Sequence, residues 1–258
     1  MSDIKNNTIL GNDLFNDEFK ETLIMHIPHA SVSIPDRSEF LLNDEDLNDE
    51  ILKLTDIGTD VIFDLGSDIT QHKFKYNRIY CDVERLPDEQ EEMFQYGRGF
   101  YYTKTDDGRD LRNEEPFIKD DVEHLYGEHH DVLENIVFDK IYKLGFATII
   151  DCHSFSDTPF ETDLIKEPNR PDICLGTDDF HTPKWLSDQV RIYFENLGYT
   201  VKINNPYGGT IVPLKCYKKD KNVHSIMIEV NRKLFIENDK VDYKKLLELN
   251  KIMKKIFD

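Results

Sequence analysis

A histidine that leaves an apolar strand is rigidly aimed, neutral at working pH, and able to offer one ring nitrogen to a metal ion. His153 stands in such a place, after Phe146-Ala147-Thr148-Ile149-Ile150-Asp151-Cys152, with Asp151 near enough to orient it. His29 stands in another, after Met25-His26-Ile27-Pro28, where Pro28 fixes the backbone just before it. Taken singly, His153 reads equally well as a structural histidine and His29 as a surface one. As a pair at two strand ends they would point into one crevice. A catalytic zinc commonly has three protein ligands, two His and a carboxylate being one usual set, and keeps a position open for water. Asp56 or Asp60 would supply the carboxylate, being four residues apart on one face of an expected helix. Without the histidines, either aspartate is ordinary solvated helix charge.

Water activated at such a centre needs a base. Glu229 closes the otherwise apolar run Ser225-Ile226-Met227-Ile228-Glu229-Val230, where a carboxylate costs solvation free energy unless something compensates it. A metal and water would compensate it, and so would an ion pair with Arg78 or Arg232. Arg78, Arg85, Arg109 and Arg112 cluster in one stretch of chain, and guanidinium forks suit carboxylates. For Arg109 and Arg112, exposed pairing with nearby acids is an equal alternative. Gly208-Gly209 is a tight turn that would let a substrate approach the backbone. His129-His130 lies mid-helix, where adjacent residues cannot share a face, so at most one points inward. Ser154 lacks a Gly-x-Ser-x-Gly elbow, which disfavours a serine nucleophile. No phosphate-binding loop and no His-Glu-x-x-His is present.

These residues need elements to position them. Thr22–Ile27, Arg78–Val83, Phe146–Cys152 and Ser225–Val230 read as buried strands. Helical spacing of apolar residues predicts helices over Glu50–Leu65, Asp120–Leu144, Pro183–Leu197 and Val241–Phe257. Strands interleaved with helices predict an α/β sheet covered on both faces, whose site lies beyond the carboxyl ends of the strands. The polar stretch Pro87–Asn113 is long for a loop inside a compact domain, and it is expected to be functional or mobile. No linker divides the 258 residues, so one domain is expected.

Composition excludes more than it selects. Against 51 acidic residues stand 32 Lys and Arg, a net charge of −19, which repels nucleic acid and anionic membrane. No segment has eighteen apolar residues in a row, and the first residues lack an apolar signal core. Four scattered cysteines, Cys81, Cys152, Cys174 and Cys216, form no disulfide framework and read as reduced core thiols of a cytoplasmic protein. Oligomeric state is left open.

Several pieces, taken in order, resemble the N-formylglutamate amidohydrolase family. They are Ile27-Pro28-His29-Ala30-Ser31 with Ile34-Pro35, Asp56-Ile57-Gly58, Asn77-Arg78-Ile79-Tyr80-Cys81-Asp82-Val83-Glu84-Arg85 and Asp151-Cys152-His153-Ser154. Asp172-Ile173-Cys174-Leu175-Gly176-Thr177, Asn205-Pro206-Tyr207-Gly208-Gly209 and Ile228-Glu229-Val230-Asn231-Arg232-Lys233-Leu234-Phe235 complete the series. The resemblance implies a mixed, mostly parallel sheet flanked by helices, similar to zinc carboxypeptidases. It implies one zinc held by His29, Asp56 and His153, with Asp56 preferred to Asp60 because it opens the Asp-Ile-Gly piece. Glu229 would act on water, Arg78 and Arg85 would bind substrate carboxylate, and His130 and Gly209 would accompany the site. The implied substrate is a small acidic amide, N-formyl-L-glutamate, cleaved to formate and glutamate. Two departures stand out. Glu84 replaces the usual amide of an Asp-x-Asn-Arg piece, which opposes an acidic substrate. Val32, three residues after His29, replaces the Glu of the peptidase His-x-x-Glu. Another N-acyl amino acid amidase, a carboxypeptidase-like enzyme, or a catalytically silent ligand-binding domain are the rival functions.

Overall fold

Strand side chains alternate between the two faces of a sheet, and here the alternation sorts apolar from reactive residues. The computed structural model describes residues 15–88, 90–113 and 119–257. In chain order its elements are α1 (Asp17–Thr22), β1 (Leu23–Ile27), α2 (Asp44–Leu54), α3 (Thr59–Ile62), β2 (Thr70–Lys73), α4 (Lys119–Leu144) and β3 (Ala147–Phe155). There follow β4 (Ile173–Gly176), α5 (Lys184–Asn196), β5 (Val201–Ile203), β6 (Val223–Asn231), a two-stranded ribbon β7 (Ile236–Glu237) and β8 (Lys240–Val241), and α6 (Tyr243–Ile256). The main sheet runs β2-β1-β3-β6-β4-β5, parallel throughout except where β4 meets β6. It is the mixed, mostly parallel α/β sheet expected.

One face carries Leu23, Met25 and Ile27 of β1, Ile150 and Cys152 of β3, and Ile226, Ile228 and Val230 of β6. All pack against Ile62 of α3, Phe194 of α5, and Leu246 and Met253 of α6. Full burial of each such side chain is worth roughly 1.5–3 kcal/mol. The other face is apolar only at the amino ends of the strands, where Ile24, Ile149 and Val223 meet Leu133 and Val137 of α4. Towards the carboxyl ends the same face bears His26, Asp151, His153 and Glu229, each nearly fully buried. The four cysteines are buried and unpaired. Among the described residues no helix is long and apolar enough to cross a membrane.

Two expectations are corrected. The helix over Glu50–Leu65 is two helices, because Gly58 adopts φ 85° and starts α3 afresh after the turn that follows α2. A Cβ on Gly58 would also come within 2.6 Å of Leu246 Cδ1. Asp56 therefore sits in the turn, and Asp60, on α3, is exposed. Arg78–Val83 is a series of turns rather than a strand. Buried Asn77 winds them: its carbonyl accepts from Tyr80 and Cys81, and its Oδ1 accepts from Ile79. The run is as buried as a strand would be, with Ile79, Cys81 and Val83 fully covered, which is why its composition misleads. The strand beside β1 is β2 instead, a polar edge strand with no apolar signal. The described part of 87–113 is packed rather than loose, with Tyr102 and Leu111 fully buried.

Candidate metal centre

His153 lies on β3 directly beside Glu229 of β6, so the two side chains share the polar face. His29 follows β1, and its carbonyl accepts the Asp56 N–H at 3.0 Å, which ties the β1 end to the α2–α3 turn. That tie brings three donors together. Asp56 Oδ2 lies 2.9 Å from His153 Nδ1 and 3.8 Å from His29 Nδ1, and ligand atoms of the three residues all fall within 4.8 Å of one another. Asp56 Oδ1 faces away, accepting from Arg232 Nη2 at 3.2 Å.

The outer nitrogens are also fixed. His29 Nε2 donates to Asp82 Oδ1 at 2.9 Å, leaving the Nδ1 lone pair directed at Asp56. This Nδ1 is buried and makes no hydrogen bond. A buried acceptor without a partner costs about 1–3 kcal/mol, and a cation is the partner its surroundings suit. His153 Nε2 donates to Asp151 Oδ1 at 3.1 Å, and Glu84 Oε2 lies 3.2 Å from it. Imidazoles backed by carboxylates in this way are typical of metal ligands. The residues present therefore fit a divalent cation held by His29, Asp56 and His153.

Charge is concentrated here. Burial works against a charged His153, but Glu84, Asp151 and Asp56 outweigh it and hold its pKa well above the ordinary value. Burial pushes Asp56 up, yet His153 and His29 hold it well below the usual carboxylate range. Burial dominates at Glu229: helped by Asp56 and opposed by His153, Arg232 and Arg78, it pushes that carboxyl up to about 8. Glu229 Oε2 is buried with no hydrogen bond.

Beside these groups opens a cavity of about 360 Å³, lined by Arg78, Arg85, Glu84, Glu229, Arg232 and Gly209 among others. Arg78 is committed to Asp82, through Nε and Nη2 at 3.1 and 2.9 Å. Arg85 pairs with Glu91 through Nη1 at 3.2 Å, while its Nε makes no hydrogen bond. Gly209, at φ 83°, presents its carbonyl so close to Gly176 that a Cβ there would sit 2.2 Å away. His130 is not among the lining residues; its Nε2 donates to the Val83 carbonyl at 2.7 Å. The helix histidine that reaches the polar face is His129, whose Nε2 lies 2.9 Å from His26 Nε2.

Sequence reasoning assigns no role to Asp82 or His26, and treats Glu84 only as a departure. A signal for His26 is present: His26 and Asp151 each interrupt an apolar strand, and the strands pair at these two positions. Asp82 and Glu84 carry no such mark, because turns rather than a strand aim them.

The sequence model of the N-formylglutamate amidohydrolase family matches residues 21–236. No curated protein matches the chain. Among solved structures, N-formylglutamate amidohydrolase from Ralstonia eutropha JMP134 is similar with TM-score 0.76 and 19% identity, over 92% of each chain. The gene product Atu2144 from Agrobacterium tumefaciens is similar with TM-score 0.66 and 17% identity, over 92% of this chain and 89% of that one. At such identities the likeness establishes the fold.

Proposed function

The chain belongs to the N-formylglutamate amidohydrolase family, and on that footing we propose that it is a zinc-dependent amidohydrolase acting on N-formyl-L-glutamate or a close N-acyl amino acid. Residues 1–258 act as one domain in this reading, with one zinc at the His29–Asp56–His153 centre, in a cytoplasmic protein whose four thiols stay reduced. The observation that carries the metal is the orphaned Nδ1 of His29, aimed at Asp56 beside His153.

A divalent cation held by His29, Asp56 and His153 would supply Lewis acidity, polarising an amide carbonyl and lowering the pKa of water toward about 7. The protein's own groups do the rest. Glu229, its carboxyl raised by burial, exchanges protons readily near neutral pH, taking one from water at Oε2 and returning it to the departing amine. Arg85, which lines the cavity with its side chain 27% exposed, is the guanidinium best able to receive a substrate carboxylate, while its buried Nε faces Asp82 Oδ2 at 3.7 Å. Arg78 holds Asp82 in place behind His29 and closes the same wall. Gly209 leaves room for substrate against the backbone. The products of N-formylglutamate would be formate and glutamate.

Glu84 faces the same cavity, and its charge bears on substrate choice. Zinc-loaded protein should therefore be offered N-formyl-L-glutamate beside other N-formyl and N-acyl amino acids and short peptides, with formate or free amine measured. Cleavage of another amide with none of N-formylglutamate overturns the substrate. Absence of bound zinc after dialysis against it, with no hydrolysis, would favour a silent binding domain.

A further inference from the structure

Two residues before His153 on the same face, Asp151 anchors a second constellation. His26 Nδ1 donates to Asp151 Oδ1 at 2.9 Å, and Glu84 Oε1 lies 3.5 Å from the same nitrogen. Ligand atoms of His26, Glu84 and Asp151 all lie within 4.8 Å of one another. We propose that these three residues form a second divalent-cation site, and that Glu84 bridges it to the first. This rests on the first centre binding a cation.

Glu84 is the link because its two oxygens serve different neighbours. Oε2 lies 3.7 Å from His29 Nδ1, the unpartnered nitrogen of the first centre, and 3.2 Å from the outer Nε2 of His153. Oε1 turns to His26 and is buried without a hydrogen bond. An imidazole and two carboxylates with open positions is a set that zinc, manganese and cobalt accept. Two ions sharing a carboxylate stand about 3.5–4 Å apart and clamp a reacting group from two sides. Burial of two carboxylates also demands compensation. A cation entering the second site would provide it, displacing the His26 Nδ1 proton to solvent. Entry is possible because Glu84 and Asp151 both line the cavity, with His26 behind them.

The test is metal content after equilibrium dialysis against zinc chloride, measured per chain by mass spectrometry. Wild-type protein should hold two zinc ions, and Glu84→Gln and His26→Gln one each. One zinc in the wild type, lost on His29→Gln, overturns the second site and leaves the first standing. One zinc retained in His29→Gln but lost in His26→Gln overturns the first centre instead. Two ions in both the wild type and Glu84→Gln overturn Glu84 as a ligand. Wild-type stoichiometry needs no variant to fold, and a second readout uses cobalt. Cobalt ions bridged by Glu84 should couple magnetically and weaken each other's paramagnetic resonance, whereas a full-strength signal from two ions overturns the bridge.

Discussion

The two faces of the sheet are built from the same strands, residue by alternate residue, yet they are stabilised in opposite ways. On one, Met25, Ile150 and Ile226 meet helices α3, α5 and α6 and need nothing but close packing. On the other, His26, Asp151, His153 and Glu229 are nearly as buried as those apolar residues, but unsatisfied lone pairs and opposed charges gather around them. Stability on the apolar face comes from area removed from water. The polar face is a place where burial has been turned against stability in favour of chemistry, since its groups are held by neighbouring charges or suited to a cation. Conversion from core to site thus takes only a few polar residues at the carboxyl ends of central strands.

That contrast can be broken by mutation on either side. The largest effect is expected on the polar face. Glu229→Gln should lower turnover about 10²–10⁴-fold while zinc content and melting temperature stay close to wild type; unimpaired turnover would remove Glu229 from its proton-transfer role. On the apolar face, Ile226→Ala should cost about 2–5 kcal/mol in urea unfolding yet leave bound zinc unchanged. Metal loss in the folded Ile226 variant would show that the faces are not separable.

A third change probes Asp106, which fixes Thr162 in the cavity wall. Burial pushes Asp106 up, but Lys53 and the N–H and O–H donors of Glu161 and Thr162 outweigh it, so its pKa lies below the ordinary range. A group depressed in the folded state stabilises above its unfolded pKa of about 3.9, and that contribution is lost as pH falls through the folded value. Asp106→Asn should therefore destabilise by about 1.5–3 kcal/mol at pH 7. The gap to wild type should narrow in unfolding curves taken below about pH 4. A gap independent of pH would mean the charge contributes nothing. The smallest effect is expected at Asp82, which touches no substrate. Asp82→Asn removes the carboxylate behind His29 Nε2 and should weaken zinc about 10–100-fold in chelator competition. Unchanged affinity would show that the His29 ring is oriented by its packing alone.

Much of the polar face is legible in the order of residues along the chain. Apolar runs ending in His153 and Glu229 locate β3 and β6, and the α4, α5 and α6 helices follow their apolar spacing to within a few residues. His29 and His153 are recognisable by their place at strand ends. What stays hidden has two physical causes. Burial without regular structure looks the same as a strand, so the turns at Arg78–Val83 read as one and the aim of Asp82 and Glu84 is lost with them. Edge strands need no apolar face, so Thr70–Lys73 leaves no mark in the pattern.

Residue type and local spacing, which depend only on neighbours along the chain, were enough to mark β1, β3 and β6, the helices α4, α5 and α6, and His29, Asp56, His153 and Glu229 as groups able to bind a metal or move a proton. Which of those groups meet was decided only in three dimensions. Gly58 broke a helix and put Asp56, not Asp60, against His29, and strand register set Asp151 beside His26 and Glu229 beside His153. Contacts between residues far apart in sequence depend on turns and register, and no periodicity in the chain encodes them.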